Sequence, residues 1–421
     1  MSALPRVGIF DADAPTALAF TRSLGRAGVP VRVYSPRRWP VARLSRYCKS
    51  FGRCPDPEDA DRFTPWLERE LRSGNIDLVA PTSDVIAFHL SEVHEAFAPE
   101  LRGRLPAPAA ALASLFKDRF DSTCGRLGFR TPWAAYPRSV EEAQDGAPAY
   151  RYPAILKPKS HVGVGLSRGH VVGGAEELRR SYQAYPVPPG QAAVCSRYPA
   201  LSMPMVQEYV PGALDNLYSV SGVLGEGGRS IAVAGSRKVA QWPPTLGIGI
   251  EFEPAADEDL ISRGTSLASC VLRRGIFEVE LIRDTRSGDW VAIDLNPRAH
   301  GFISFDAARG NDLPVLWYRL VTGEEVEPGK RARDDVVWTH AVPRLVRRCV
   351  GWLNGATPER RIERRTVDIV NDVRDPLPSI PFLAVMLRHP GGLVRPFLKP
   401  AGEDALAAPE ASDGEGALTA G

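Results

Sequence analysis

The chain has 421 residues, of which 44% are hydrophobic and 24% are charged, and its formal net charge is +2. This composition is typical of a globular protein with two or three domains, and the small net charge gives no general attraction to nucleic acid or to a membrane surface. The six cysteines form no CxxC pair and no dense framework, which fits reduced thiols in the cytoplasm.

We expect neither a secretion signal nor a membrane span. Asp11 interrupts the N-terminal segment before any long apolar run, so a signal peptide is not expected. The strongest apolar candidate, Ile380–Leu387, is less than half of the roughly 20 residues that a transmembrane helix needs. A cytoplasmic protein is therefore predicted.

Strand and helix signals alternate over the first 110 residues. The predicted order is a strand at 6–10, a helix at 15–27, a strand at 31–34, a helix at 57–73 and a strand at 76–80. This alternation predicts a parallel, doubly wound α/β sheet, which places ligands beyond the carboxyl ends of its strands. Because DADAPT rather than GxGxxG follows the first strand, we do not assign NAD to this sheet.

Polar residues stand at the predicted ends of these strands, namely Asp11, Asp13, Thr82, Ser83 and Asp84. They could line a small-molecule site. They could instead cap helices and form turns, which is the more common role of such residues and the interpretation that we favour.

The next segments predict a helix and a glycine-rich hairpin. One helix is expected to start after Pro108 and to end at Gly128, and Lys117 lies within it as an ordinary solvated lysine. A strand ends at Lys157, a loop rich in Gly and Ser follows at 160–169, and a return strand begins at His170. Such loops can bring backbone N–H groups against phosphates, although a flexible turn is the simpler interpretation. The pattern GxxxxGK[ST] is absent.

Further strands are predicted near 205–210, 217–223 and 231–234. The segment 236–249 contains Arg237, Lys238, two prolines and two glycines, so we predict an ordered loop that carries positive charge. The alternative is a surface hairpin loop with ordinary basic residues.

An acidic hairpin is predicted at 275–301, where two strand-like runs flank the turn-forming cluster DTRSGD. If Asp284 pairs with Trp290, the register places Glu280 opposite Asp294. It also places Glu278 opposite Asn296, with Arg298 just beyond.

Like charges across a sheet repel, so something positive should offset these carboxylates. Hard oxygen ligands suit Mg²⁺, and Arg298 could hold a phosphate with its planar guanidinium. The alternative is an edge hairpin with solvated acids.

The C-terminal quarter is compatible with several roles. Residues 326–400 could be a capping region, a partner surface or an interfacial segment, and packing within the protein is our default expectation. Residues 401–421 have little apolar bulk and are predicted to be disordered.

The order of these motifs resembles the ATP-grasp superfamily, which includes carbamoyl phosphate synthetase, biotin carboxylase and D-alanine–D-alanine ligase. The series is a helix lysine, a strand lysine with a glycine-rich loop, a Gln-Glu-Tyr-Val strand, an acidic residue and the acidic hairpin that ends IDLNPR. The resemblance implies an N-terminal α/β domain at 1–110 and a nucleotide module of two α+β lobes at 111–325. A capping region at 326–400 and a tail at 401–421 would follow.

The resemblance also implies where ATP binds. Lys117 and Lys157 would contact the phosphates. The loop residues Ser160, Gly163 and Gly165 would close over them. The remaining contacts would be Glu208, Tyr209 and Val210 at the adenine edge and Asp215 at the ribose hydroxyls.

Metal binding and chemistry are implied for the hairpin. Glu280, Asp294 and Asn296 would bind Mg²⁺, with Mn²⁺ as an alternative ion. Arg298 would steady an acyl phosphate, and Lys238 would contact the γ-phosphate or the substrate. Relatives usually have Glu at the positions of Asp294 and Asp215. Both substitutions keep the charge, but the shorter Asp294 leaves open how the metal is bridged.

The function implied is an ATP-dependent carboxylate–amine ligase that releases ADP and phosphate. The carboxylate is expected between the N-terminal sheet and the hairpin, and the amine near 236–249 and 300–309. Rival interpretations are a kinase or carbamoyl-phosphate-type synthase, a nucleotide-binding protein without turnover and, more distantly, a dinucleotide oxidoreductase. The sequence does not identify the substrates, and dimers are common among relatives.

Overall fold

The computed structural model describes residues 4–164, 169–185, 189–242, 246–329, 331–353 and 364–381. The strands are β1 (Val7–Ile9), β2 (Val31–Ser35), β3 (Ser50–Arg53), β4 (Leu78–Val79), β5 (Ala134–Ala135), β6 (Ala154–Lys157), β7 (His170–Val172), β8 (Met205–Glu208), β9 (Leu217–Leu224), β10 (Ser230–Trp242), β11 (Ile248–Pro254), β12 (Gly275–Arg283), β13 (Trp290–Asn296), β14 (Val336–Thr339) and β15 (Arg365–Asp368).

The helices begin and end as follows: α1 (Pro15–Arg26), α2 (Ala60–Arg72), α3 (Asp84–Glu92), α4 (Pro99–Arg102), α5 (Pro108–Leu115), α6 (Lys117–Leu127), α7 (Val140–Gly146), α8 (Ala175–Gln183), α9 (Ala192–Arg197), α10 (Glu258–Val271), α11 (Ile303–Ala308), α12 (Leu313–Val321) and α13 (Ala341–Leu353). None of the helices in the described ranges is long and apolar enough to cross a membrane.

The N-terminal strands form a parallel sheet in the order β3-β2-β1-β4, so the predicted α/β sheet is confirmed. Its apolar strand residues are almost completely buried between the helices, including Val7, Ile9 and Val33. The sequence did not predict β3, because its run SFGR holds one large apolar residue, Phe51, and no strand alternation.

The single helix predicted around Lys117 is wrong, since the chain breaks between α5 and α6. Phe116 takes an extended conformation, with φ −107° and ψ 118°, and forms a β-bridge with Ser160. The Lys117 N–H donates to the Lys159 carbonyl oxygen over 2.8 Å. Lys117 therefore begins α6 beside the glycine-rich hairpin, a placement that helix periodicity cannot reveal.

A second sheet, antiparallel and in the order β5-β8-β6-β7, contains the predicted glycine-rich hairpin. Lys157 is the last residue of β6, as predicted. Gly163 has φ +70°, and a Cβ there would lie 2.1 Å from the Gly190 carbonyl oxygen. Gly165 lies outside the described residues.

The third sheet has the order β13-β12-β9-β10-β11-β14-β15 and is antiparallel except for its last pair. The loop predicted at 236–249 is wrong for its first part, because Arg237 and Lys238 lie within the long strand β10. Pairing with β9 on one side and β11 on the other keeps these basic residues extended. Both registers shift along β10, so the strand is irregular.

The C-terminal region adds strands to this sheet. β14 pairs with β11, and β15 pairs with β14. The capping region therefore contributes sheet edge and core, including the buried Trp338. Most of the apolar segment 377–400 and all of the tail 401–421 lie outside the described residues.

Candidate active site

The acidic hairpin forms by antiparallel pairing of β12 and β13. Glu280 lies opposite Asp294 and Glu278 lies opposite Asn296, as predicted. The assumed pairing of Asp284 with Trp290 is wrong, because Arg283 takes that position. A bulge shifts the register between Glu280 and Leu281, so the turn is one residue out of phase with the acidic positions.

A cavity of about 260 Å³ lies between the second and third sheets. Nine of the predicted site residues line it: Lys117, Lys157, Glu208, Tyr209, Val210, Lys238, Glu280, Asp294 and Arg298. These residues come from both sheets and from α6, so the fold brings together motifs that are far apart in the sequence.

The closest charge contact in the cavity joins Lys117 to Asp294. The Lys117 Nζ lies 2.5 Å from Asp294 Oδ1, and both side chains are almost fully buried. His161 Nδ1 lies 3.6 Å from Asp294 Oδ2. Asp294 is therefore neutralised by the residue that begins α6.

Glu280 lies across the strand pair from Asp294. Its pKa is raised to about 7, mainly by burial and also by the carboxylates of Glu278 and Asp294, while Lys238 and Lys117 act in the opposite direction. On the opposite wall, burial lowers the pKa of Lys157 to about 8, and the charge of Lys117 acts in the same direction. Carboxylates therefore lie close together on one wall of the cavity, and lysines lie close together on the opposite wall.

Glu278 and Asn296 hold each other in place. Ser219 Oγ donates to Glu278 Oε1 over 2.9 Å, and Asn296 Nδ2 donates to Glu278 Oε2 over 3.2 Å. The Asn296 amide oxygen takes no part in this hydrogen bond, but Asn296 is buried and does not line the cavity. In the described ranges, no three His, Cys, Asp or Glu side chains are grouped as a metal site. The donor set of two carboxylates and one amide oxygen nevertheless suits Mg²⁺, which completes its shell with water and phosphate. The metal assignment stays a prediction.

Arg298 is positioned by the N-terminal sheet. Its Nε and Nη2 donate to the two carboxylate oxygens of Asp84 over 3.0 and 2.8 Å. The Ala299 N–H donates to the Pro81 carbonyl oxygen over 2.9 Å, which ties the same loop to the end of β4. Burial alone would raise the pKa of Asp84, but the Arg298 guanidinium holds it below its usual value.

The strand-end residues of the N-terminal sheet have mixed roles. Ser83 caps α3 by accepting from the Ile86 N–H over 3.2 Å, as the capping interpretation expects. Ser83 also donates to Asp11, and Asp13 accepts from the Val41 N–H. The Asp84 side chain neither caps a helix nor forms a turn. Its carboxylate accepts hydrogen bonds from Arg298 instead. Asp84 was expected at a strand end, but its contact with Arg298, which is 214 residues away, was not predicted.

The predicted adenine segment lines the cavity, but part of its polar surface is already used. The Tyr209 N–H donates to the Pro153 carbonyl oxygen over 3.0 Å. The Glu208 carboxylate lies 2.8 Å from Arg286 Nη2. The Tyr209 N–H is therefore unavailable to adenine, which leaves the Tyr209 carbonyl and the Val210 backbone for that role.

Four predicted residues do not line the cavity. Asp215 is exposed, and its carbonyl oxygen accepts from Arg237 over 3.0 Å. Ser160 is buried, and its Oγ accepts from the Val162 N–H. Gly163 packs against Gly190, and Asn296 lies behind Glu278. The sequence missed the aromatic residues that also line the cavity, since buried aromatics carry no local sign of facing a ligand.

No known family profile and no curated protein matches the chain. Solved structures do match. The biotin carboxylase domain of Hydrogenobacter thermophilus 2-oxoglutarate carboxylase, in complex with MgADP, ADP and bicarbonate, has a TM-score of 0.60 and 15% identity over 79% of this chain and 72% of its own. N5-carboxyaminoimidazole synthetase from Staphylococcus aureus has a TM-score of 0.60 and 12% identity over 92% of this chain and 98% of its own.

L-amino acid ligase from Bacillus licheniformis has a TM-score of 0.56 and 13% identity over 79% of this chain and 76% of its own. At these identities the likeness shows the fold alone. The fold is that of the ATP-grasp enzymes, as the sequence predicted.

Proposed function

We propose that the protein is an ATP- and Mg²⁺-dependent ligase that activates a carboxylate as an acyl phosphate and couples it to an amine. The observation that carries this proposal is the single cavity in which Lys117, Lys157, Glu280, Asp294 and Arg298 meet. Structural neighbours support it, because they include a carboxylase domain with bound MgADP and an amino acid ligase.

In this proposal the nucleotide lies along the hairpin. Adenine contacts the backbone at Tyr209 and Val210, where Val210 packs against Ile282 in a small apolar cluster. The phosphates then reach Lys117 and Lys157. When bound, Mg²⁺ would neutralise phosphate oxygens while Glu280, Asp294 and the Asn296 amide oxygen hold it, and Mn²⁺ is an alternative ion.

The chain's own residues then position two anions and offset their charge. A carboxylate oxygen attacks the γ-phosphorus, and ADP leaves. Arg298, held by Asp84, faces the resulting acyl phosphate. The amine nitrogen attacks the carbonyl carbon and inorganic phosphate leaves, so an amide is formed. Lys238 on β10 lines the same cavity and would contact the γ-phosphate or the substrate.

The predicted contacts of Ser160, Gly163, Gly165 and Asp215 belong to the same proposal, with Asp215 as the weakest member because it is exposed and outside the cavity. We further propose small-molecule substrates and a cytoplasmic location. A homodimer has a precedent in the Hydrogenobacter thermophilus domain, which is a dimer.

The test is a screen of acids and amines for ADP release, followed by mass spectrometry of the products. We expect ADP and phosphate that depend on both an acid and an amine, and release of AMP and pyrophosphate would reject the proposal. Asn296→Ala should abolish ADP release with the fold intact. Asn371→Ala is the matched control, because Asn371 is exposed and does not line the cavity.

A further inference from the structure

One wall of the cavity is apolar and has no part in the roles proposed above. Phe252, Phe302, Trp338 and Ile369 all line the cavity. The rings of Phe252 and Phe302 stack with centroids 3.8 Å apart, and Trp338 packs edge-on against both, at 5.7 and 6.1 Å. We call these four residues the aromatic wall.

The aromatic wall lies beyond the acidic residues when the hairpin is followed away from the adenine segment. Ile282 and Ile293 are near Val210 at one end. Glu280 and Asp294 come next, and Arg298 follows. Phe302 is four residues further along the chain and packs on β11 and β14. The wall therefore faces the reacting end of the nucleotide rather than its base.

The sheet order separates most of the wall from the acidic hairpin, and Phe252 alone pairs across strands with a charged lining residue, Lys238 on β10, within the described ranges. Phe252 is on β11 and Trp338 on β14, which are three and four strands from β12. At about 4.8 Å per strand, Trp338 lies roughly 19 Å along the sheet from the acidic strand. Among the described lining residues, β11, β14 and the residue after β15 contribute no Asp, Glu, Lys or Arg.

Two titratable groups lie near the wall: His340 follows β14 and lines the same cavity, and Lys238 stands opposite Phe252 on the neighbouring strand. Burial lowers the pKa of His340 to about 4, so its ring is uncharged at neutral pH. A substrate that projects a charge toward Trp338 and Ile369 would exchange water for apolar side chains without gaining an opposite charge from the described lining there, which is unfavourable. A small hydrophilic acid such as bicarbonate has no apolar surface to bury there.

We propose that the aromatic wall is a subsite for a flat or branched apolar group on one of the two substrates that join ATP in the cavity. The inference rests on the proposed function, because it assigns the reacting group of that substrate to the neighbourhood of Arg298. It also narrows the substrate class, because small and doubly charged acids and amines would bind poorly. The position of Phe302 within 300–309 favours the amine as the carrier of the apolar group.

The first test uses the full chain with MgATP and a matrix of acids and amines. Each substrate is offered in apolar form (phenylalanine, leucine, phenylacetate), charged form (aspartate, glutamate, lysine) and small form (glycine, bicarbonate). We expect kcat/KM for ADP release to be at least roughly tenfold higher when one partner is apolar. The two arms of the matrix show whether that partner is the amine or the acid. Preference for charged or small partners in both arms would overturn the subsite.

Equilibrium dialysis with the same ligands, in the presence of a non-hydrolysable ATP analogue, tests the subsite without turnover. Saturable binding of apolar ligands without ADP release would uphold the subsite and reject the ligase. ADP release that is fastest with charged or small partners would uphold the ligase and reject the subsite. Failure of every apolar ligand to bind overturns the subsite.

A pair of neighbouring substitutions separates ligand contact from core packing. Ile369 lines the cavity, whereas Val370 is buried in the same apolar cluster but does not line it. We expect Ile369→Ala to raise KM for the apolar substrate by roughly tenfold with KM for ATP unchanged. Val370→Ala should lower thermal stability and leave both KM values alone. Equal effects of the two variants on KM for the apolar substrate would overturn the proposal.

Discussion

The Lys117 ammonium group lies 2.5 Å from the Asp294 carboxylate, and this ion pair joins the start of α6 to the acidic hairpin. Its consequence is that Asp294 is neutralised, whereas burial and the neighbouring carboxylates raise the pKa of its cross-strand neighbour Glu280 to about 7. A metal ion bound at Asp294 Oδ1 would compete with Lys117 for that oxygen and would free the lysine to contact phosphate. The predictions below test this arrangement and its supports.

Lys117→Met should lower turnover by at least roughly a hundredfold, because a buried cation that faces both Asp294 and the phosphates is lost. The measurement is steady-state ADP release at saturating ATP. Lys159→Met is the control, since Lys159 is also buried but donates to the Pro137 carbonyl oxygen over 2.8 Å and does not line the cavity. The control should lose stability and keep its turnover. Equal losses of turnover in the two variants would contradict the role of Lys117.

Asp84→Asn should lower kcat by roughly ten- to a hundredfold, because it breaks the two-point contact that orients Arg298. Asp84 is thus a positioning residue. The matched control is Ser83→Ala, which removes the cap of the same helix and should cost about 1 kcal/mol of stability with little change in kcat. Full activity of Asp84→Asn at all substrate concentrations would show that Arg298 needs no such support.

Gly163→Ala should weaken the hairpin that is proposed to cover the phosphates. The added Cβ would lie 2.1 Å from the Gly190 carbonyl oxygen. The φ of +70° at this position adds backbone strain for any residue with a Cβ. Gly128→Ala is the control, because Gly128 has φ +78° and open space at the Cβ position. The control should lose about 1 kcal/mol in urea unfolding. Gly163→Ala should lose more and should raise KM for ATP, whereas matching losses with an unchanged KM would contradict the prediction.

Asp11 should make the stability of the protein depend on pH. Burial raises its pKa from 3.8 to about 6, so the folded state binds more protons than the unfolded state between those values. Its contribution to stability is therefore present at low pH and is lost as pH rises from about 4 to about 6. Asp11→Asn tolerates the same positive φ of 51° and removes this titration.

The measurement for Asp11 is urea unfolding of wild type and Asp11→Asn at pH 4, 5, 6 and 7. Relative to wild type, the variant should gain on the order of 2 kcal/mol between the ends of this series. A constant difference between the two proteins across the series would show that Asp11 does not titrate abnormally.

The parts of the fold that the sequence predicted depend on local periodicity. The alternation of side chains placed Glu278 and Glu280 on one face of β12, and Asp294 and Asn296 on one face of β13. The pairing of Glu280 with Asp294 was derived from an assumed Asp284–Trp290 pair, and it holds because the bulge compensates for that error. The turn of the hairpin was misjudged by one residue, because a bulge leaves no mark in an apolar pattern.

The parts that the sequence missed depend on contacts between distant segments. The break at Phe116 is made by its bridge to Ser160, and the length of β10 by pairing with strands on both sides. The contact of Asp84 with Arg298 requires the N-terminal sheet to meet the hairpin. The aromatic wall needs strands from the C-terminal region, whose place in the third sheet had no sequence signal.

The central claim is that a substrate carboxylate is phosphorylated by ATP on the way to the amide. The most direct measurement uses the best acid from the substrate screen, labelled with ¹⁸O in its carboxylate, and analyses the released inorganic phosphate by mass spectrometry. Our account predicts that one ¹⁸O atom passes from the acid to the phosphate in each turnover. Unlabelled phosphate, or label recovered in AMP, would contradict it.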